Sequence, residues 1–186
     1  MKIIPLHNQT NQLIADAIRQ NREAQQALFD LYSPKMLGVC RRYVKDVHHA
    51  EELMLSGFLK VFTHLSKFKN EGSFEGWIRR IMVNTCISYL RKKNPILLTD
   101  EDFVFNDKAT LSQESTEVED IQKLIDGLPI GYKMVFNLYA IEGFKHAEIA
   151  KELGITESTS KSQLFKARKW LQGQYLKMNR TVNGDK

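Results

Sequence analysis

The sequence predicts an all-α protein of two small helical domains joined by an acidic linker, with a helix-turn-helix in the second domain. Three observations predict this organisation. Apolar residues before residue 94 recur at helical spacing, with no sustained alternation of the kind that a half-buried strand has. The formal charge is +7 over residues 1–93, −7 over residues 94–120 and +5 over residues 121–186. Glycines interrupt the C-terminal helical pattern at three places, which leaves four short helices.

Short helices are expected at the start of the chain. Residues 13–18 mark a first helix, and residues 24–32 continue the apolar stripe after a polar break. Ser33 followed by Pro34 is typical of an N-cap with proline at the first helical position. We therefore expect the second helix to end at Pro34 and a new helical segment to continue to Tyr43.

Two longer helices complete the N-terminal domain. One is predicted over about residues 49–68. Its inward residues are expected to be Leu53, Leu55, Phe58, Leu59 and Phe62. The other is predicted over residues 74–93, with Ser73 as its N-cap and Pro95 just after its end.

An acidic linker rich in Ser and Thr is predicted over residues 94–117, between domains of residues 1–93 and residues 118–186. Its apolar segments, residues 96–98 and 103–105, are not typical of a fully solvated tether. We therefore expect part of the linker to lie against a domain or a partner. Basic domains on either side of a polar linker favour contacts with phosphates over contacts with a membrane surface.

The sequence lacks the patterns of several other classes of protein. Cys40 and Cys86 each lie inside an apolar helical pattern and are expected to be reduced, buried thiols. The histidines have no partners at metal-ligand or triad spacing, and no glycine-rich phosphate loop is present. No run approaches the roughly 20 apolar residues of a membrane span, and no signal peptide is recognisable. We expect a cytoplasmic protein with no catalytic residue, metal, cofactor or small-molecule substrate.

Residues 144–164 have the spacing of a helix-turn-helix. Ala150 is small where two helices approach, Gly154 can take the positive φ of the turn, and Thr156 is predicted to cap the second helix. The N-terminal half of that helix would enter the major groove of DNA. The residues expected near bases or phosphates are Glu157, Ser158, Ser160, Lys161, Gln163, Lys166, Arg168 and Lys169. The alternative is an ordinary helical hairpin with a solvated basic face.

Basic and aromatic residues interleave at helical spacing over residues 72–93, after a short polar loop. Arg80 and Asn84 are expected to look outward. Such a face suits single-stranded DNA, because phosphates lie along cations and an unstacked base can enter a pocket. In the alternative, Trp77 is a plain core residue and the arginines form a solvated face.

Over roughly residues 10–173, the whole chain resembles the extracytoplasmic-function sigma factors of bacterial RNA polymerase. The similarity rests on motifs that occur in the family's order at residues 28–36, 50–58, 68–84, 128–136, 143–150 and 161–168. The resemblance implies a sigma factor that gives RNA polymerase promoter specificity and helps to open promoter DNA. Its implied partners are promoter DNA, core RNA polymerase and an anti-sigma factor.

The resemblance also implies roles for particular residues. The helix around residues 50–58 would dock on the largest polymerase subunit through Glu51, Glu52, Leu55, Ser56 and Phe58. The following loop and helix would capture the melted minus-ten strand through Asn70, Gly72, Ser73, Trp77, Arg80 and Asn84. The helix-turn-helix would read the minus-thirty-five element through Ser158, Ser160, Lys161, Gln163, Lys166 and Arg168.

Two places in the chain depart from the family pattern. Leu55 and Ser56 stand where a Gln and an acidic residue are usual, with Glu52 in the Asp position. Ser158 and Ser160 stand where a Gly and a β-branched apolar residue are common. The first departure keeps open a DNA-binding regulator that does not join polymerase. A protein that only docks on polymerase or an inhibitor through an exposed helical face is a third hypothesis.

Overall fold

The computed structural model describes residues 6–93 and 117–183, and every regular element in these ranges is a helix. The all-α fold class is therefore confirmed. The chain divides into two compact units, residues 1–88 and residues 89–186. The first helices are α1 (Leu6–Ile18), α2 (Arg22–Tyr43), α3 (Val47–Thr63) and α4 (Phe74–Lys93). The later helices are α5 (Glu117–Asp126), α6 (Ile130–Phe136), α7 (His146–Leu153) and α8 (Glu157–Asn183).

Short polar side chains cap α2, α3 and α4 of the first unit, and Asn21 Oδ1 caps α2 by accepting from the Ala24 backbone N–H at 2.9 Å. Asp46 Oδ1 accepts a hydrogen bond from the His49 backbone N–H at 2.9 Å at the start of α3. Ser73 Oγ accepts from the Gly76 backbone N–H at 3.3 Å, so Ser73 begins α4 as predicted. Each cap satisfies an amide that has no partner within its own helix, which is typically worth about 1 kcal/mol.

Helix α2 passes through Pro34 without ending, so the predicted break at this residue is wrong. A proline inside a helix removes one hydrogen bond and costs about 3 kcal/mol. The buried face of α2 continues across it, with Tyr32 before the proline and Met36, Val39 and Cys40 after it. Burying each such side chain contributes about 1.5–3 kcal/mol. Packing on both sides of Pro34 therefore outweighs the local cost.

Helix α3 leaves two leucines exposed. Its buried residues are Ala50, Leu53, Met54, Gly57, Phe58 and Val61. Because this stripe recurs at a spacing of three and four, Leu55 and Leu59 fall outside it and are 54% and 70% exposed. The prediction that both leucines face inward is wrong. The helix ends at Thr63, and a 3-10 turn over Leu65–Lys67 follows it.

Both cysteines lie in the core of the first unit. Cys40 on α2 and Cys86 on α4 are buried and form no disulfide, as predicted. A hydrogen bond from Cys86 lowers the pKa of the Cys40 thiol, against the opposing effect of burial.

Helices α3 and α4 approach each other closely at Gly57. A Cβ at Gly57 of α3 would overlap the Met82 side chain of α4. A larger residue at this position would therefore require the end of the flexible Met82 side chain to move.

The core of the second unit forms where α6 packs on α8. One buried cluster there consists of Leu128, Tyr132 and Ala167, with Phe136, Trp170 and Leu171 packed against it. Lys133 of α6 pairs with Asp126 of α5, with 2.6 Å between Nζ and Oδ1, and both side chains are buried. Removing either partner would leave the other charge buried without this counter-charge, which is strongly destabilising. The pair therefore fixes α5 against α6.

Residues 94–116, most of the predicted linker with its two apolar segments, lie outside the described residues. In the part of the chain that is described, no helix combines the length and apolar character that crossing a membrane requires. The same part contains no group of three or more His, Cys, Asp or Glu side chains that could hold a metal ion.

Candidate nucleic-acid interface

The helix-turn-helix consists of α7, the turn after it and the first half of α8. Gly154 ends α7 with a φ of 70°, a left-handed conformation that glycine adopts without steric penalty. Thr156 Oγ1 accepts a hydrogen bond from the Thr159 backbone N–H at 3.0 Å and caps α8. Ile149 and Leu153 are buried on the inner side of α7. The turn at Gly154 and the cap at Thr156 confirm the predicted local structure.

The exposed face of α8 is polar and mostly basic over its first turns. Its exposed residues include Glu157, Ser158, Lys161, Ser162, Phe165, Lys166, Arg168 and Lys169. Glu157 and Lys161 are 3.9 Å apart from Oε2 to Nζ, and both side chains are more than half exposed. Such a pair is weak in water, so the Lys161 ammonium can exchange it for a phosphate. We call this set of exposed residues the α8 face.

Ser160 and Gln163 do not lie on the α8 face. Ser160 is fully buried, with its Oγ 2.8 Å from Nδ1 of His146 on α7. Gln163 is 3% exposed, and its Oε1 has no hydrogen-bond partner among the described residues. Both share the inner side of α8 with Leu164 and Ala167, at a helical spacing of three and four. The predicted contact of Ser160 and Gln163 with DNA therefore does not fit this fold.

Phe165 also lies on the α8 face, although the sequence pattern predicted no role for this residue. The residue is 68% exposed and lies four residues after Lys161 and four before Lys169. Residues four apart in a helix share a face, so this spacing could have identified Phe165 as a surface residue. An exposed ring among cations can contact the methyl group of thymine in the major groove.

Two basic side chains of α8 lie over tyrosine rings. The Nζ atom of Lys166 is 6.0 Å from the centroid of the Tyr132 ring. The Cζ atom of Arg168 is 5.4 Å from the centroid of the Tyr139 ring. Cation–π attraction at such distances restrains a long side chain that would otherwise move freely in water. The two cations therefore have preferred positions on the surface.

In the first unit, the loop over residues 68–73 turns on two left-handed residues. Asn70 has a φ of 57° and Gly72 a φ of 98°. Asn is one of the few residues other than Gly that tolerate this region. A Cβ at Gly72 would meet open space, so glycine is required here for its backbone conformation alone. Asn70, Gly72 and Ser73 are all exposed.

Aromatic rings support this loop. The Phe68 centroid is 5.1 Å from that of Phe74 and 5.5 Å from that of Trp77, and Phe74 stacks on Trp77 at 5.9 Å. A cavity of about 250 Å³ opens beside the loop, large enough for a planar group such as a nucleobase. Its lining residues are Thr10, Asn11, Tyr32, Asn70, Ser73, Phe74 and Glu75. Trp77 is half-buried in the aromatic cluster, and the cavity is lined without it.

The predicted residues of α4 differ in exposure. Arg80 is exposed, one turn after Trp77, whereas Asn84 is half-buried. The Oδ1 atom of Asn84 has no hydrogen-bond partner among the described residues. This atom is buried, and a buried polar atom usually has a partner, so a ligand reaches it only if neighbouring side chains move.

The outer face of α3 brings together most of the residues predicted to contact polymerase. Its exposed residues include Glu51, Glu52, Leu55, Ser56 and Leu59. Phe58 is different, because it is 2% exposed and its ring packs 4.8 Å from Phe29 and 6.0 Å from Phe62. Its predicted contact with polymerase therefore does not fit this fold. The neighbouring Leu59 is the large apolar side chain that α3 exposes at this point.

Known families match parts of both units. The family model described as Sigma-70 region 2 matches residues 28–96, and the one described as Sigma-70, region 4 matches residues 119–171. The RNA polymerase sigma-H factor of Pseudomonas aeruginosa is 28% identical, over 86% of this chain and 90% of that protein. The ECF RNA polymerase sigma factor SigW of Bacillus subtilis is 28% identical, over 87% of this chain and 96% of that protein.

A solved structure shares the fold. The sigma factor RpoE of Bartonella quintana, crystallised with the anti-sigma factor NepR, has a TM-score of 0.52 with this chain at 21% identity. The similarity covers 80% of this chain and 94% of that one. The two sigma-70 regions follow each other in one chain, and the curated relatives are matched over most of their length. The chain belongs to the extracytoplasmic-function sigma factors of bacterial RNA polymerase.

Proposed function

We propose that this sigma factor gives RNA polymerase promoter specificity by binding two forms of DNA. Helix α8 binds duplex DNA at the minus-thirty-five element, and the loop over residues 68–73 with α4 binds the melted minus-ten strand. The observation that carries the proposal is the α8 face, where Lys161, Lys166 and Arg168 follow a capped polar turn. The mechanism uses binding energy and no covalent step.

The duplex contacts are assigned to the exposed side chains of α8. Ser158 and Lys161 lie in the first turns, the part of a recognition helix that meets base edges in the major groove. Lys166 and Arg168 are assigned to phosphates, where each contact releases about 0.9 counterion and makes binding depend on salt. Phe165 adds an apolar contact for a thymine methyl group.

The melted strand is assigned to the first unit. The contacting residues are Asn70, Gly72, Ser73, Trp77, Arg80 and Asn84. The cavity of about 250 Å³ beside Asn70 and Ser73 would receive one unstacked base. Arg80 provides an exposed cation for a phosphate, and the half-buried Asn84 provides its side-chain amide for a base or sugar. Trp77 acts through the aromatic cluster that supports the loop.

Polymerase docking is assigned to the outer face of α3. The contacting residues are Glu51, Glu52, Leu55, Ser56 and Leu59. Leu55 and Leu59 are one turn apart and more than half exposed, and they form an apolar ridge in water. Burying each leucine in an interface contributes up to about 1.5–3 kcal/mol. This gain offsets the polar contacts that Leu55 and Ser56 do not make.

An anti-sigma factor is proposed as a further partner. The similar sigma factor of Bartonella quintana was solved in complex with one. A partner of this kind would act by covering the exposed face of α3 or the α8 face. Because core RNA polymerase works in the cytoplasm, we assign this chain to the same compartment.

Reconstitution with core polymerase from the same organism tests the proposal. The template is a DNA pool in which both promoter elements are randomised, and the transcripts are sequenced. We expect enriched templates to share two elements at a fixed spacing, and only when the chain is present. Duplex binding without polymerase binding would instead favour a DNA-binding regulator that does not join polymerase. Polymerase binding without any DNA binding would favour a protein that only docks on polymerase.

The docking surface has a matched pair of variants. Leu55→Ala combined with Leu59→Ala should weaken binding to core polymerase at least tenfold, since about 1.4 kcal/mol of lost burial has that effect. Ile121→Ala removes a similarly exposed apolar side chain from α5 and should bind as wild type. Fluorescence anisotropy of the labelled chain, titrated with core polymerase, measures both affinities. Equal affinities for all three proteins would contradict the assignment of α3.

A further inference from the structure

Tyr139 connects the recognition helix to α7. It lies in the π-helical turn Asn137–Ile141, between α6 and α7. Its ring stacks on His146, with 4.6 Å between the centroids and 24° between the planes. The guanidinium of Arg168 on α8 lies over the same Tyr139 ring, 5.4 Å from its centroid. Arg168 is therefore held by a ring that itself rests on another helix.

The His146 ring is attached to the buried side of α8. Its Nδ1 atom is 2.8 Å from Oγ of Ser160, which is fully buried. Burial lowers the pKa of His146, and the charges of Lys161 and Arg168 lower it further, while Glu157 opposes them. The neutral imidazole is therefore favoured at pH 7. Contacts from Ser160 to His146, from His146 to Tyr139 and from Tyr139 to Arg168 therefore connect two positions of α8. These positions are two turns, or roughly 12 Å, apart along the helix.

We propose that Tyr139 is a positioning residue for duplex DNA binding, which holds the Arg168 guanidinium towards a backbone phosphate. His146 supports it by holding the Tyr139 ring against α7. The inference rests on the proposed role of α8. A guanidinium over an aromatic ring still has N–H groups free to donate to phosphate oxygens. An arginine that is already restrained loses less rotamer freedom when it binds, so its phosphate contact is stronger.

A double-mutant cycle on the holoenzyme tests this role. Tyr139→Met keeps an apolar side chain but removes the aromatic face, and it should weaken promoter binding about threefold. Tyr139→Phe keeps the ring and should restore wild-type affinity. In an Arg168→Ala background, Tyr139→Met should have no further effect, because the group it positions is absent.

The salt dependence of binding provides a second readout. Arg168→Ala should reduce the slope of log affinity against log salt by about 0.9, the value for one lost phosphate contact. Tyr139→Met should reduce the same slope in part, whereas loss of packing alone would leave it unchanged. Tyr175→Met, at an exposed position later in α8, is the matched control and should bind as wild type.

The outcomes separate the inference from the proposed function. Equal losses from Tyr139→Met with and without Arg168 would indicate a packing role and overturn the inference. A Tyr139→Phe variant as weak as Tyr139→Met would do the same. If Tyr139→Met lowers the melting temperature, the double-mutant cycle with Arg168→Ala is repeated with Tyr139→Gln, which also lacks the aromatic ring. A wild-type holoenzyme without promoter affinity would overturn the proposed function. An Arg168→Ala variant with full affinity would overturn the inference and the phosphate contact assigned to Arg168, but not promoter binding by the chain.

Discussion

The α8 face and the loop over residues 68–73 are shaped by different physical means. On α8 the backbone is a regular capped helix, and contacts with tyrosine rings restrain Lys166 and Arg168. In the loop, two left-handed residues set the backbone path, and an aromatic cluster and a cavity lie beside it. A convex helix fits the major groove, whereas a melted strand needs a concave surface for unstacked bases. Charge should therefore dominate binding on α8, and backbone conformation should dominate it in the loop.

The largest effect is expected from removing two cations of α8. Lys166→Ala combined with Arg168→Ala should lower promoter duplex affinity at least about 100-fold, because each charged hydrogen bond contributes about 1.5–3 kcal/mol. The salt slope should fall by about 1.8, the value for two phosphate contacts. Titration of the holoenzyme against a promoter fragment at several KCl concentrations measures both quantities.

Lys177→Ala provides the control for the double cation variant. It removes one exposed cation from the same helix, beyond the helix-turn-helix, and should change affinity by less than about twofold. A double variant whose salt slope equals that of wild type would contradict the assignment of Lys166 and Arg168 to phosphates.

A backbone change in the loop should have the next largest effect. Gly72→Ala places a side chain at a φ of 98° and costs about 1–2 kcal/mol. Binding of a forked template with a single-stranded minus-ten element should fall about tenfold, with little change for duplex DNA. Asn70→Gly keeps the left-handed conformation and removes only the amide, so it isolates the side-chain contact. If Gly72→Ala binds the forked template as wild type does, backbone conformation does not govern this surface.

The features that depend on near neighbours in sequence were predictable. Ser73 and Thr156 cap their helices, and Gly154 takes the left-handed turn, because a cap or a turn involves only the next few residues. Pro34 shows the limit of such local rules. A helix with a buried face on both sides of the proline continues through it, and packing against other helices decides the outcome.

The residues that face inward could not all be predicted from residue type. Leu55 and Leu59 are apolar and exposed, whereas Ser160 and Gln163 are polar and buried. Their positions depend on which neighbouring element covers each side of the helix. Ser160 is turned inward where His146 of α7, fourteen residues earlier, provides a hydrogen-bond partner. This pairing depends on the packing of two helices, which the sequence pattern does not specify.

A smaller effect is expected from the outer face of α4. Arg80→Ala combined with Asn84→Ala should reduce promoter opening about fivefold and change duplex affinity by less than about twofold, because the lost contacts form after melting. Permanganate reactivity of thymines in the minus-ten element measures opening. Ser88→Ala, one turn further along α4, is the control. Thymine reactivity equal to that of wild type in the double variant would contradict the assignment of α4.

The smallest effect is expected from protonation of His146. Burial, together with Lys161 and Arg168, lowers the pKa of His146 in the folded chain, while Glu157 raises it. On acidification the unfolded chain therefore binds a proton first, near its ordinary pKa of about 6.5. This group's contribution to stability is complete above that pH and is lost as the pH falls towards the lowered pKa.

Replacing His146 by a side chain that does not titrate isolates this effect. The melting temperature of wild type minus that of His146→Gln should decrease as the pH is lowered from about 8 to about 5. A constant difference over this range would contradict a neutral imidazole beneath Tyr139. The result sharpens the contrast between the two surfaces. On α8, Arg168 contacts Tyr139, and Tyr139 stacks on His146, whose imidazole becomes charged when it is protonated. In the loop, the backbone path depends on the dihedral angles of Asn70 and Gly72, which protonation does not change.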